Sequence, residues 1–141
     1  MTKEVSIKIT GRQTDETGQA SKISVSLCGE WYERGSSVYV FYDEKDPDNG
    51  AVTKNALKLS GSVVTHSRKG AVTSQMTFEA GRNMKTDYRT PYGSFLLELR
   101  TETVSILRAE DACTVRIVYE LYADDAFLSA NQLTVRIRSL R

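Results

Sequence analysis

Apolar and polar residues alternate with a period of two along most of the chain, the pattern of half-buried strands rather than helices. Val5, Ile7 and Ile9 interleave with Ser6, Lys8 and Thr10, and Ile23, Val25, Leu27 and Trp31 share a face opposite Ser24, Ser26, Cys28 and Glu30. Val38, Val40 and Tyr42 alternate with Tyr39 and Phe41, so that strand is expected to be apolar on both sides. Further strands are expected over Ala56 to Leu59 and Ser62 to Arg68, then with Val72, Ser74, Met76 and Phe78 on one face and Met84, Thr86, Tyr88 and Thr90 on the next. Phe95, Leu97 and Leu99 lead into Val104 and Ile106, and the last two strands run through Cys113 to Leu121 and Phe127 to Ile137. The inward positions are odd through Phe95, Leu97 and Leu99 and even at Val104 and Ile106, so a bulge or bend must fall between Leu99 and Val104.

Turn signals punctuate these runs. Glu33-Arg34-Gly35 and Arg68-Lys69-Gly70 place glycine where a hairpin wants a positive φ, Asn49-Gly50 is a strong two-residue hairpin signal, and Glu110-Asp111 and Asp124-Asp125 look like a matched pair of short acidic turns. Consecutive short connections make a meander, and a meander of about eight to ten strands closes into a barrel, which removes its exposed edges. The expectation is one all-β domain over residues 1–141, a single antiparallel up-and-down β-barrel.

Composition narrows the function classes. Lys plus Arg number 19 against 18 Asp plus Glu, a formal charge of +1 that favours no charged partner. The apolar runs are far shorter than the roughly 20 residues of a spanning helix, and Met1 to Thr10 lacks the apolar stretch of a signal peptide, so no membrane partner and a cytoplasmic location are expected. Cys28 and Cys113 are isolated and read as free thiols.

Arg68-Lys69-Gly70, Met76-Thr77-Phe78, Tyr88, and Thr90-Pro91-Tyr92-Gly93 followed by Leu96 and Leu97 resemble the YwiB-like family of small uncharacterised bacterial proteins. The resemblance runs over most of the chain, through Glu30-Trp31-Tyr32 and Val38 to Tyr42, and implies a calycin, or lipocalin-like, barrel. It brings no activity. Read on its own, the Thr90 to Gly93 tetrad fits a type I turn, with Pro91 at its second position and Gly93 at its fourth. It is either a stiff hairpin end or the lip of a binding mouth.

No catalytic signature emerges. His66 is the one histidine, no group of side chains has metal-ligand spacing, and the glycines stand singly at turns, so no catalytic residue, metal or cofactor is expected. Arg100, Arg108, Arg116, Arg136, Arg138 and Arg141 fall at outward positions beside Glu98, Glu102 and Glu120, and cross-strand ion pairs are expected there instead of a nucleic-acid partner. The barrel interior is the remaining candidate. If Arg68 points inward with Tyr88 and Thr90, it joins Trp31, Tyr42, Met76, Phe78, Phe95 and Tyr119, a set suited to a small, partly apolar organic anion. In the other reading the barrel is filled by its own side chains, with Arg68 paired to Asp87, Glu44 or a carbonyl, or turned outward in a hairpin. The protein is then a scaffold or interaction module acting through outer residues such as Tyr39 and Phe41. A monomer and a homodimer fit the sequence equally.

Overall fold

Each alternating run forms a strand. In the structure, a computed structural model describing residues 2–140, there are ten: β1 (Thr2–Asp15), β2 (Ala20–Arg34), β3 (Ser37–Lys45), β4 (Val52–Ser60), β5 (Val63–Gly70), β6 (Ser74–Phe78), β7 (Asn83–Thr90), β8 (Gly93–Arg108), β9 (Ala112–Ala123) and β10 (Ala126–Ser139). All pairings are antiparallel, in the order β6-β5-β4-β3-β2-β1-β10-β9-β8-β7. The pairing of β1 with β10 joins the two ends of the chain. The sheet curls until β6 faces β7, where Thr73 and Arg89 exchange N–H···O bonds of 2.9 Å and the Thr86 hydroxyl donates to the Gln75 carbonyl at 2.6 Å. The result is a nearly closed up-and-down barrel. No helix among the described residues is long and apolar enough to cross a membrane.

The parity change has its expected cause. The register between β8 and β9 shifts between Thr101 and Thr103, so Glu102 is the bulged residue that lets Leu99 and Val104 both face inward. A second shift, between Phe127 and Ser129, lies outside the sequence expectation. It turns Phe127 onto the outer face, edge-on to Tyr122 with ring centroids 5.7 Å apart, whereas the alternation had aligned it with Leu133. Asn49-Gly50 also departs from expectation. A two-residue hairpin would break the Asp46 N–H···O=C Ala51 and Gly50 N–H···O=C Asp46 bonds that close a longer loop here.

Inward residues stack in layers set by register. Val38, Leu59, Val64 and Phe78 lie side by side across β3 to β6, and Val5, Ile7, Leu99, Val115, Ile117, Val135 and Ile137 complete a buried apolar core at this end. Complete burial of each such side chain contributes about 1.5–3 kcal/mol, which makes this half the source of stability. Across the same four strands, the next layers toward the other end are Val40–Leu57–His66–Met76 and then Tyr42–Asn55–Arg68–Ser74. The lining changes from apolar to polar within two residues of each strand.

The wall opens at β2. This strand pairs with β1 along almost its whole length but with β3 only from Glu30 to Arg34. Gly29 sits where the two separate: a Cβ there would lie 2.3 Å from the Phe41 carbonyl oxygen and 2.8 Å from Ile7 Cδ1. Only glycine lets β3 come so close before diverging. Beyond it Ile23 and Val25 keep the inward parity but are 67% and 43% exposed, because no opposite wall covers them.

Candidate functional site

The polar end of the barrel gathers buried groups that an apolar core would not tolerate singly. Thr53, Asn55, Ser74, Thr86, Thr101, Ser129 and Asn131 are all buried, and burial without a partner costs each several kcal/mol. Asn55 shows how that cost is met. Its Nδ2 donates to the Thr53 carbonyl at 3.2 Å, which turns its Oδ1 toward His66 Nε2 at 2.7 Å. Since that oxygen can only accept, Nε2 of His66 carries a proton. Tyr42 Oη, 3.4 Å from the same nitrogen, is left with its hydroxyl proton free to serve another acceptor. Burial, and then the charge of Arg68, push His66 down to about 3. Burial likewise pushes Tyr42 up to about 12, the Glu44 charge adding to the effect and Arg68 opposing it.

Arg68 is the organising charge. It occupies an inward position, opposite Asn55 on β4 and Ser74 on β6, and its field reaches Tyr42, His66 and Tyr119. Tyr119 is held above its ordinary value by burial, with Arg68 lowering it and Tyr88 raising it. Among the described residues, no carboxylate lies within ion-pair distance of Arg68; neither Asp87 nor Glu44 pairs with it. Thr101, opposite Tyr119 on β8, has a buried hydroxyl with no hydrogen-bond partner among the described residues.

Of the side chains singled out in the sequence, the structure brings Arg68, Tyr42, Met76, Tyr88 and Tyr119 to this end. Phe78 forms the floor, its ring centroid 4.9 Å from that of Tyr119. Three others lie elsewhere. Trp31 belongs to the closed end, its Nε1 donating to Glu33 and its ring flanked by Lys3 and Arg108. Phe95 has the inward parity but stands at the rim, 51% exposed. Thr90 folds its hydroxyl into the turn, accepting from the Tyr92 N–H and donating to the Gly93 carbonyl.

Asn55, Asn131, Ser129 and Thr101 are absent from the sequence-derived set. Their signal is parity: Asn55 alternates with Leu57 and Leu59, and Asn131 with Leu133 and Val135. His66, set aside as a lone strand histidine, belongs to the same layer system.

Where β2 and β3 diverge there is a concavity of about 420 Å³ that touches the site at Tyr42 and Asn55 and is otherwise lined by Gly29, Glu30, Phe41, Asp43, Lys54 and the exposed Cys28. Another concavity, about 440 Å³, lies on the outer face of β1, β2, β9 and β10. The outer face also departs from the expected ion pairing. Arg100 bonds Glu98 at 2.9 Å and stacks on Tyr122, and Arg108 meets Glu33, but Arg116, Arg136 and Arg138 pair with no acid among the described residues. Arg141 lies outside them.

The comparisons with known proteins agree with this architecture. A family model described as a domain of unknown function, DUF1934, matches residues 7–135. The uncharacterized beta-barrel protein YwiB of Bacillus subtilis (strain 168) is 28% identical over 123 residues, covering 86% of this chain and 84% of that protein. The crystal structure of ywiB protein from Bacillus subtilis superposes with a TM-score of 0.88 over 99% of this chain and 94% of that one, at 21% identity, a likeness of fold.

Proposed function

The chain belongs to the DUF1934 family, whose function is unknown, and from its own geometry we propose that it is a noncatalytic cytoplasmic protein that holds a small, partly apolar organic anion at the polar end of its barrel. The observation that carries this reading is Arg68: an inward guanidinium with no carboxylate partner among the described residues, set among the tyrosines Tyr42, Tyr88 and Tyr119. A part-buried charge without a partner is unfavourable, and an anion supplies the missing charge while the guanidinium fork and the phenolic hydroxyls orient it. Met76, half-buried beside His66, offers the apolar body a surface to leave water against. His66 is committed to Asn55, which fits a binding role.

The test uses 8-anilinonaphthalene-1-sulfonate, an apolar aromatic anion, titrated into the native protein and followed by fluorescence. Arg68→Met should weaken binding by about 10- to 100-fold, the effect of losing charge-assisted hydrogen bonds of roughly 1.5–3 kcal/mol, while Arg68→Lys retains part of it. Equal affinity of parent and Arg68→Met sinks the assignment. A small molecule released between native and denaturing mass spectra of protein from its host would identify the ligand itself.

A second reading, an interaction module, rests on the outer aromatic stripe. Tyr39 and Phe41 stack with centroids 6.1 Å apart and planes within 4°, Tyr32 adjoins Tyr39, and Phe41 is 40% exposed. A parent that sediments as a dimer and a Phe41→Ser variant that sediments as a monomer would favour it; a monomeric parent removes self-association.

A further inference from the structure

The outer face of β2, β1, β10 and β9 carries an arrangement of charge that its own fold does not satisfy. Registers place its outward residues in rows. One row reads Ser26, Lys8, Arg136, Thr114; the next, Ser24, Thr10, Thr134, Arg116; the next, Lys22, Arg12, Gln132, Val118. Arg138 stands beside Ser6 in the row on the other side. Lys8, Arg12, Lys22, Arg116, Arg136 and Arg138 are all exposed, and none reaches a carboxylate among the described residues. No acidic residue occupies these rows. Glu4 and Glu30 lie beyond one end, Glu102 and Glu120 beyond the other.

Two pairings make this more than a solvated surface. Lys8 stands directly opposite Arg136, and Arg12 directly opposite Lys22. Like charges in directly opposed positions destabilise a sheet, and any hydroxyl residue in their place would remove the repulsion. Between the cations stand Thr10, Ser24, Ser26, Gln132 and Thr134, side chains that bond phosphate oxygens. At the Arg12–Lys22 end the face sinks into the concavity of about 440 Å³, whose far wall carries Glu102 and Glu120 and so bounds the basic surface there.

We propose that this face binds the phosphate backbone of a nucleic-acid duplex, without reading its sequence. The patch spans four strands and four rows, about 15 by 20 Å at sheet spacings. A duplex places one negative charge every ~1.7 Å of its axis, so several phosphates fall within that span. The face offers no aromatic ring at its centre for bases to stack on, which disfavours single strands. Nor does it carry the apolar wedge with which a basic surface enters a lipid interface.

The experiment is a fluorescence-anisotropy titration of the full chain against a labelled 24-base-pair DNA duplex, from 25 to 200 mM salt. Binding is expected at low salt with a slope of log affinity against log salt of about −3 to −5, given roughly 0.9 per phosphate neutralised. Combining R12Q, K22Q and R136Q should flatten the slope by about two to three units. That variant should also melt at or above the parent's temperature, because it removes both like-charge oppositions. K45Q with K85Q, exposed lysines on the other wall, should leave binding unchanged. No binding at 25 mM salt, a variant that binds as the parent does, or capture by single strands or phosphatidylserine vesicles in preference to the duplex would each overturn the proposal.

Discussion

Acidification should destabilise this protein through its one histidine. In the folded barrel His66 sits at about 3, because burial and then the Arg68 charge disfavour the imidazolium, while an unfolded chain titrates it near 6.5. Between these values the unfolded state binds the extra proton. Stability is therefore intact above pH 6.5 and lost progressively as pH falls toward 3. The two values give a loss of about 2 kcal/mol at pH 5 and about 3 kcal/mol at pH 4. Residual solvent contact of the part-exposed ring lowers both by about a third. His66→Gln isolates the contribution, since the glutamine amide can still donate to Asn55 Oδ1 but does not titrate. Urea unfolding of both proteins, followed by the fluorescence of the single tryptophan, Trp31, should show His66→Gln gaining on the parent by about 2 kcal/mol from pH 7 to 4. Carboxylates that titrate in the same range cancel in the difference. Parallel stability curves, or a proton NMR titration of the lone imidazole with its midpoint near 6.5, would refute the reasoning.

Other consequences are equally direct. Gly29→Ala forces a methyl group to 2.3 Å from the Phe41 carbonyl and should cost about 1–3 kcal/mol by overpacking; a change in urea midpoint worth less than 0.5 kcal/mol would mean about that much slack where β2 leaves β3. Asn55→Leu leaves the His66 N–H only Tyr42 Oη at 3.4 Å as an acceptor and should lose about 1–3 kcal/mol, the cost of one poorly satisfied buried group; a neutral outcome in the same assay would show that Tyr42 or water replaces the amide. Asp124 and Asp125 both hold positive φ, 50° and 63°, in the β9–β10 turn. Replacing them by Asn-Gly should therefore stabilise by about 1 kcal/mol, and a lowered melting temperature would contradict that turn geometry.

Alternation revealed faces, and faces were enough for most of the fold. Leu57, Val64, Leu99, Val115 and Ile137 all point where their parity directs, and the jump between Leu99 and Val104 located the Glu102 bulge. Burial is a different quantity. Ile23, Val25 and Phe95 have inward parity yet stand in solvent, because burial depends on a facing wall and β3 turns away after Gly29. The bulge after Phe127 was invisible because Phe127 and Leu133 share odd parity, so a shift between them leaves no mark in hydrophobicity alone. Within the site, arginine and tyrosine were conspicuous on strands otherwise apolar, whereas Asn55 and Asn131 pass in a sequence as ordinary polar residues. Their importance comes from the partners that register brings to them.

The polar end exists at the expense of stability that the apolar end supplies, and Arg68 gives a way to ask what that sacrifice serves. If Arg68 were a structural cation, bound to rim carbonyls and holding β4 to β6 together, Arg68→Met should cost about 1.5–3 kcal/mol, as the loss of hydrogen bonds to a charged group does. If it awaits an anion, methionine removes a part-buried charge that has no carboxylate partner among the described residues and adds an apolar side chain beside Met76. Replacing poorly compensated buried charge by apolar side chains of similar volume is neutral or stabilising by roughly 1–4 kcal/mol. The ligand-free variant should then unfold at equal or higher urea while losing affinity for the aromatic sulfonate. Stability and binding moving in opposite directions is the signature of a residue kept for what it holds. A variant that loses both would assign Arg68 to the barrel wall.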